Sequence, residues 1–326
     1  MADPLLIVDG LTVEYCTLKG IIRAVDDVSF SLGKSETLGV VGESGSGKST
    51  LGLSLIGLVP FPGKIVKGNV ILDGKEVLKL KEDELRNLRG TGVCYVFQDP
   101  MTSLNPVKKI GDHFVEMIRT HQPTVTKKEG LERAGKLLKD VGIQPERICD
   151  YPHQLSGGMR QRVMIALAIA LNPSVVVADE PTTALDVIVQ AKILDLLNTL
   201  RDSYGMALVL ITHDLSIVLE RSDRILVMYA GQVIEYAHSK TLYKDPQHPY
   251  TKGLLKSIPN IELTDQKLDA IAGSPPDLLD LPKGCRFWPR CSYVFDRCRR
   301  EQPMLVKTSE EHFVRCFLYV EGGSKS

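Results

Sequence analysis

The stretch that most constrains the fold is "TLGVVGESGSGKST", Thr37 to Thr50. An apolar run leads into a loop rich in Gly and Ser, and a Leu-rich helical pattern follows it. This order of strand, loop and helix, with Lys and Ser at the end of the loop, is the context of a phosphate-binding P-loop. Glycines allow backbone N–H groups to close around phosphate oxygens, and the positive end of the following helix assists them. The sequence therefore predicts a triphosphate site.

The P-loop pattern gives roles to its polar residues. Lys48 would reach the β and γ phosphates, and Ser49 would ligate Mg²⁺. A flexible Gly/Ser loop without a ligand is the alternative, and the strand before it and the helix after it disfavour that interpretation. The predicted nucleotide contacts in the loop are Gly42, Ser44, Gly45, Ser46, Gly47, Lys48, Ser49 and Thr50.

A second apolar run, "SVVVADEP", ends in two carboxylates. A buried strand over these valines would deliver Asp179 and Glu180 to its carboxyl end. Asp179 can hold magnesium through water, as the acidic partner of a P-loop does. Glu180 would orient or deprotonate the attacking water. Alone, an Asp-Glu pair after a strand is usually a solvated loop, but beside a P-loop we interpret it as catalytic.

Short β-branched runs alternate with helical patterns along most of the chain, which predicts an α/β fold with a largely parallel sheet. We expect one ATPase-sized domain over residues 1–240, with a helical insert at about 99–165. A capping box, "TKKE" at Thr126 to Glu129, begins one helix of that insert. After Ser239 the sequence becomes rich in Pro and turn residues, which predicts a linker into a small appendage within 241–326.

Composition excludes several classes of protein. Forty basic and forty acidic residues cancel, so charge gives no argument for a nucleic-acid or anionic-membrane surface. The first residues do not resemble a signal peptide, and the longest apolar stretches are shorter than the roughly 20 residues that span a bilayer. We therefore expect a cytoplasmic location, with other chains crossing the membrane if this protein works there.

At "LSGGMRQR", Leu155 to Arg162, the sequence resembles the signature motif of ABC-type ATPases. The resemblance covers roughly residues 5 to 240 and implies a RecA-like parallel core, an antiparallel β subdomain and a helical insert. Ser156, Gly157 and Gly158 open a helix, so hydroxyl, amides and helix dipole converge on one anion. In the family, the signature of one subunit caps the γ-phosphate bound to the other, which implies a dimer with two ATP molecules between the subunits.

The other motifs of that family follow in the same order. The resemblance implies that Gln98 in "VFQDP" is the Q-loop residue, a catalytic group and Mg²⁺ contact alongside Ser49 and Asp179. "TALD", Thr183 to Asp186, is similar to the D-loop, and His213 would contact the γ-phosphate. Tyr15 would stack on adenine, or would instead face the core as a strand residue.

"QDPMTSLNP" and the tail motifs "HPYT" and "PRC" look like those of ATP-binding subunits of oligopeptide/dipeptide importers, a group that includes nickel importers. The dipeptide type fits best. The resemblance implies two membrane-spanning permeases, an external substrate-binding protein and a second related ATPase subunit, or a homodimer. The chain would lie peripherally on the cytoplasmic face of the membrane. A nickel importer is one alternative, and a soluble ABC ATPase acting on nucleic acid is another.

Four of the seven cysteines, Cys285, Cys291, Cys298 and Cys316, lie in the tail with spacing C-x5-C-x6-C-x17-C. Four thiolates suffice for Zn²⁺ or for an iron-sulfur cluster. No short zinc knuckle is present, and the resemblance favours a [4Fe-4S] cluster. Zinc remains the lesser alternative, and so do unligated thiols in a small aromatic core. Nearby arginines such as Arg286 and Arg290 would offset the charge of either metal site.

Overall fold

The computed structural model describes residues 3–99, 103–183, 185–258 and 271–320. Within them the main sheet has eight strands in the order β11-β12-β10-β9-β3-β8-β7-β6. Neighbours from β9 to β6 pair in parallel, whereas β10, β12 and β11 add antiparallel. This confirms the predicted α/β fold with a largely parallel sheet. The strands are β3 (Thr37–Val41), β6 (Val93–Val96), β7 (Val175–Asp179), β8 (Ala207–Thr212), β9 (Arg224–Tyr229), β10 (Gln232–His238), β11 (Val306–Ser309) and β12 (His312–Val314).

The central parallel strands are covered on both faces. Every residue of β3, β7 and β8 is buried. Successive side chains point to opposite faces, so Val40 packs into one core cluster and Val41 into the other. This double burial explains why these strands are continuous apolar runs. Polar side chains are placed where the strands end.

A second, antiparallel sheet has the order β2-β1-β4-β5. Its apolar side chains share a core cluster with Leu51 and Leu55, which belong to or follow the helix after the phosphate loop. This sheet matches the antiparallel β subdomain that the resemblance implies. Its strands are β1 (Leu6–Thr17), β2 (Gly20–Leu32), β4 (Gly63–Leu72) and β5 (Lys75–Glu76).

Helices surround the main sheet. The predicted capping box forms: the Thr126 hydroxyl accepts from the Glu129 N–H at 3.3 Å, and the Glu129 carboxylate accepts from the Thr126 N–H at 2.8 Å. In the described part of the chain, no helix is long and apolar enough to span a bilayer. The helices are Lys48–Ser54, Glu82–Thr91, Ile110–His121, Lys127–Asp140, Gly157–Ile169, Val187–Tyr204, Leu215–Arg221, Ser239–Lys244, Pro249–Lys256 and Asp296–Arg300.

The described residues after β10, 239–258 and 271–320, are called the C-terminal region below. Its hairpin β11–β12 extends the main sheet, since β12 pairs with β10. The carboxylate of Glu235, in β10, is fully buried and accepts from the N–H groups of Gln247 and His248 at 2.7 and 2.9 Å. It also hydrogen-bonds to His312 Nε2 at 2.9 Å. The segment expected to be an appendage is therefore built into the ATPase sheet, and the division at residue 240 stays a prediction.

Candidate nucleotide site

The phosphate loop lies between β3 and the helix Lys48–Ser54. Gly47 has a left-handed backbone with φ of 99°, and a Cβ there would lie 2.0 Å from the carbonyl oxygen of Ala24. A Cβ on Gly42 would lie 2.2 Å from the carbonyl oxygen of Met228. Only glycine fits at either position, because a larger residue would displace neighbouring backbone. The two glycines thus hold the loop tightly against β2 and β9.

Lys48 is 5% exposed and provides a buried cation at the loop. Its Nζ donates to the carbonyl oxygens of Gly42 and Glu43 at 2.7 and 3.0 Å. Burial lowers the pKa of Lys48, against the opposing effects of Glu180, Asp179 and Glu43. A phosphate oxygen could take over these hydrogen bonds, because an ammonium group binds anions as a point charge.

Asp179, at the end of β7, is a buried carboxylate that is only partly hydrogen-bonded. Its Oδ2 accepts from the hydroxyl of Tyr95 at 2.7 Å, and its Oδ1 has no hydrogen-bond partner among the described residues. Burial raises the pKa of Asp179, whereas the Tyr95 and Ser49 hydroxyls lower it. A buried oxygen without a partner is costly unless something satisfies it. A magnesium ion, which prefers oxygen ligands, fits this position.

Glu180 is the centre of a hydrogen-bond network. Its Oε2 accepts from Gln98 Nε2 at 3.1 Å and from the Thr183 hydroxyl at 2.9 Å. Its Oε1 lies 3.2 Å from Nδ1 of His213. The backbone of Glu180 is left-handed, with φ of 44°, which marks a conformation that the surroundings impose. The structure thus brings three of the four predicted catalytic side chains together and holds a carboxylate where it can accept a proton.

Lys48 and this network face one cleft, whose wall also includes the predicted residues Ser44, Gly45, Gly47, Ser49 and Thr50. Tyr15 lines the cleft as well, and its hydroxyl lies 3.4 Å from the hydroxyl of Thr50. Leu254 and Leu278, both in the C-terminal region, complete the wall. No local motif singled out these two leucines, because apolar residues after a linker give no signal of where they pack.

The predicted signature residues lie elsewhere. Ser156 caps the helix Gly157–Ile169 by accepting from the N–H of Met159 at 3.3 Å. Neither Ser156 nor the two glycines after it line the Lys48 cleft in the described part of the chain. Gly158 instead lies against Val189, next to the D-loop. Ala184, within the predicted D-loop, is outside the described residues.

Comparisons with known proteins agree with this geometry. The family described as "ABC transporter" matches residues 25–183, and the family "Oligopeptide/dipeptide transporter, C-terminal region" matches residues 234–298. The chain is 48% identical to the oligopeptide transport ATP-binding protein AppD of Bacillus subtilis, over 98% of each chain. It is 46% identical to the dipeptide transport ATP-binding protein DppD of Escherichia coli, over 96% of each. The chain belongs to the ABC transporter ATP-binding proteins.

A solved structure gives the same result for the fold. The ATP-binding cassette MJ0796, in a dimeric post-hydrolysis state bound to ADP and Pi, matches with a TM-score of 0.63 and 30% identity. The match covers 72% of this chain and 98% of that one. The predicted ABC ATPase fold is therefore confirmed, and so is the predicted enzymatic class: this ABC ATPase binds ATP and hydrolyses it.

The four tail cysteines of this ABC ATPase line one narrow pocket together with aromatic side chains, including Phe287 and Trp288. Burial raises the pKa of Cys285 to about 11 and that of Cys316 to about 12, so both thiols are protonated at neutral pH. In the described ranges, no three His, Cys, Asp or Glu side chains converge closely enough to hold a metal ion. The structure does not bring the thiols into the geometry of a metal-ion site, so the predicted metal site stays a prediction.

Two of the arginines near those cysteines form ion pairs with the ATPase core. Arg286 pairs with Asp26, on β2, and Arg290 pairs with Glu43 in the phosphate loop. Carboxylates of the ATPase core therefore already balance these two charges, and the expectation that the surrounding arginines offset the charge of a metal site stays a prediction.

Replacing Tyr95 with Phe should lower the affinity for Mg²⁺ without changing the fold. The change removes the hydrogen bond that orients Asp179, and such supporting contacts to metal ligands are worth about tenfold or more in metal affinity. We expect the Mg²⁺ concentration for half-maximal ATPase activity to rise about tenfold. The matched control is Tyr243→Phe, because Tyr243 is 66% exposed and is not among the residues that line the cleft. An unchanged Mg²⁺ dependence in Tyr95→Phe would contradict the role of this contact.

Proposed function

We propose that this ABC ATPase powers the import of dipeptides or oligopeptides through a membrane transporter. The observation that carries the proposal is the similarity over nearly the whole chain to proteins named for dipeptide and oligopeptide transport. It includes the C-terminal region, where the oligopeptide/dipeptide family matches residues 234–298. Neither nickel transport nor action on nucleic acid receives support, because these relatives are named for peptides and the net charge of the chain is zero.

We assign the site residues to one MgATP. Lys48 and the loop N–H groups bind the β and γ phosphates, supported by the burial of Lys48. Ser49, Gln98 and Asp179 hold Mg²⁺, supported by the unpartnered Oδ1 of Asp179. Bound Mg²⁺ neutralises the charge that develops on the phosphates.

Hydrolysis and nucleotide recognition use the rest of the cleft. Glu180 is the group that orients or deprotonates water, supported by its position within hydrogen-bonding distance of Gln98 and His213. His213 contacts the γ-phosphate. Tyr15, on the wall of the same cleft, stacks on adenine.

Two chains are needed to complete each site in this proposal. Ser156, Gly157 and Gly158 form an anion site at a helix N-terminus apart from the Lys48 cleft, so they serve a nucleotide bound to a second ATPase subunit. That subunit is a second copy or a related chain, and the dimeric state of MJ0796 is consistent with such an arrangement.

The membrane partners follow from the same proposal. Two permeases bind beside the segment after Gln98, of which residues 100–102 lie outside the described residues. The ATPase lies peripherally on the cytoplasmic face of the membrane, and an external binding protein delivers peptide. ATP closes the dimer, the Gln98 loop moves, and the permeases switch access.

Glu180→Gln in the assembled transporter tests this function. The variant keeps the shape of the side chain but cannot accept a proton, so hydrolysis and ATP-driven peptide uptake into vesicles should both fall at least about 100-fold. ATP binding should persist, because Lys48 and the loop are untouched. The control is Glu220→Gln, an exposed carboxylate that pairs with Arg221. Uptake that continues at the wild-type rate in Glu180→Gln, or wild-type hydrolysis without any peptide uptake, would contradict the proposal.

We also propose that the cysteine pocket accepts a [4Fe-4S] cluster, the finer prediction from the tail. The backbone N–H groups of the residues two positions further along the chain favour the thiolate forms of Cys285, Cys291 and Cys316, against the burial that raises the pKa of each. Such contacts stabilise cluster-bound thiolates and tune the potential of iron-sulfur centres. All four cysteines border the same pocket, so four thiolates could ligate one cluster there. The cluster would stabilise the fold of the C-terminal region by joining its four cysteines.

Metal analysis after anaerobic purification tests the cluster. We expect about four irons and four sulfides per chain, as a [4Fe-4S] cluster with four cysteine ligands requires, and loss of both in Cys291→Ser. Cys149→Ser is the control, since Cys149 is exposed and outside the pocket. Stoichiometric zinc, or no metal at all, would contradict the cluster.

A further inference from the structure

Arg290, in the C-terminal region, reaches the phosphate loop. Its Nη1 and Nη2 donate to the two carboxylate oxygens of Glu43 at 2.8 and 3.1 Å. The two residues are 247 positions apart in the chain. Glu43 is the second residue of the predicted nucleotide loop, directly after Gly42. Two parallel N–H···O bonds fix the direction of a carboxylate as well as its position.

The backbone of Glu43 is held from the same side. Its N–H donates to the hydroxyl of Tyr250 at 3.0 Å. Tyr250 is fully buried and packs against Tyr229 and Phe287, with ring centroids 4.8 and 5.5 Å away. Both Tyr250 and Phe287 belong to the C-terminal region. Side chain and backbone of one loop residue are therefore anchored by the part of the chain that lies outside the expected ATPase domain.

Contacts other than the one with Glu43 also hold the Arg290 side chain in place. Its side chain is 6% exposed, against 26% for Glu43. Its Nε donates to the carbonyl oxygen of Ala272 at 2.9 Å, and its guanidinium lies over the ring of Tyr229. An ion pair whose cation is buried and already oriented loses little entropy and is poorly screened, unlike a surface pair.

Charge gives this contact a consequence for nucleotide binding. Glu43 lines the cleft that would hold a triphosphate, and its charge acts on Lys48 in the same loop. A free carboxylate there would repel the phosphates and compete for Lys48, because like charges interact strongly in partly buried surroundings. The guanidinium of Arg290 neutralises that carboxylate and directs it away from Lys48 Nζ, which instead donates to backbone carbonyl oxygens.

We propose that Arg290 is a positioning residue for ATP binding, which acts by holding and neutralising Glu43 of the phosphate loop. The C-terminal region is then part of the nucleotide-binding machinery. The inference rests on the proposed assignment of the loop Gly42–Thr50 to the triphosphate. It does not depend on what the cysteine pocket binds, although Arg290 directly precedes Cys291.

The test compares MgATP affinity and steady-state hydrolysis in the full-length chain. Arg290→Ala should weaken MgATP binding about tenfold and raise KM, with kcat within about twofold of wild type. Arg290→Lys should recover part of the loss, because it keeps the charge but not the two-bond geometry. The difference between Arg290→Ala and wild type should shrink as salt rises, because salt screens the repulsion between the unpaired Glu43 carboxylate and the phosphates in the open cleft. Arg297→Ala is the matched control, since Arg297 pairs with Glu301 within the C-terminal region.

Glu43→Gln separates this role from general stability. In that background position 43 carries no negative charge for Arg290 to neutralise, so Arg290→Ala should cause at most a twofold further loss of MgATP affinity. An equal tenfold loss in both backgrounds, or wild-type affinity in Arg290→Ala alone, would overturn the inference. If Arg290→Ala does not fold, Arg290→Lys measured with and without Glu43→Gln gives the same comparison. Failure of the wild-type chain to bind MgATP would instead refute the assignment of the loop.

Discussion

The parallel strands at the centre of the main sheet are buried on both faces, and the rest of the site depends on that constraint. Strands packed on both sides can carry no polar group along their length without a large desolvation cost. Polar residues therefore gather where the strands end, and parallel strands end at one edge. β3, β8, β7 and β6 are neighbours in the sheet. At their carboxyl ends they deliver the phosphate loop, His213, the Asp179–Glu180 pair and Gln98.

This arrangement explains which parts of the site were predictable. The phosphate loop, the acidic pair and the capping box at Thr126 are local patterns, in which a few adjacent residues carry the physical reason for the structure. Their placement in the cleft follows from the parallel sheet. By contrast, Tyr95 and Asp179 are 84 residues apart, and the sequence around either residue does not predict their hydrogen bond. The pairing of β12 with β10 was not predictable either, because a three-residue strand gives almost no periodic signal.

The C-terminal region packs against the ATPase sheet in a way that its composition does not reveal. Its proline-rich start suggested a tethered appendage, yet a fully buried Glu235 ties two of its backbone N–H groups and His312 to β10. Removing one partner of such a buried group leaves a polar atom unsatisfied, which costs about 1–3 kcal/mol. The region also contributes Leu254, Leu278 and the anchors of Glu43 to the nucleotide cleft. The packing of the C-terminal region and the geometry of the phosphate loop therefore depend on each other.

The buried side chains at this edge of the sheet form one nucleotide site in each chain. Equilibrium dialysis of MgATP against the purified protein, with Lys48→Ala beside it, tests that claim most directly. We expect about one bound nucleotide per wild-type chain and a loss of most of the affinity in Lys48→Ala, because the variant lacks the buried cation at the loop. Equal affinity in the two proteins, or binding that depends on a different part of the chain, would contradict it.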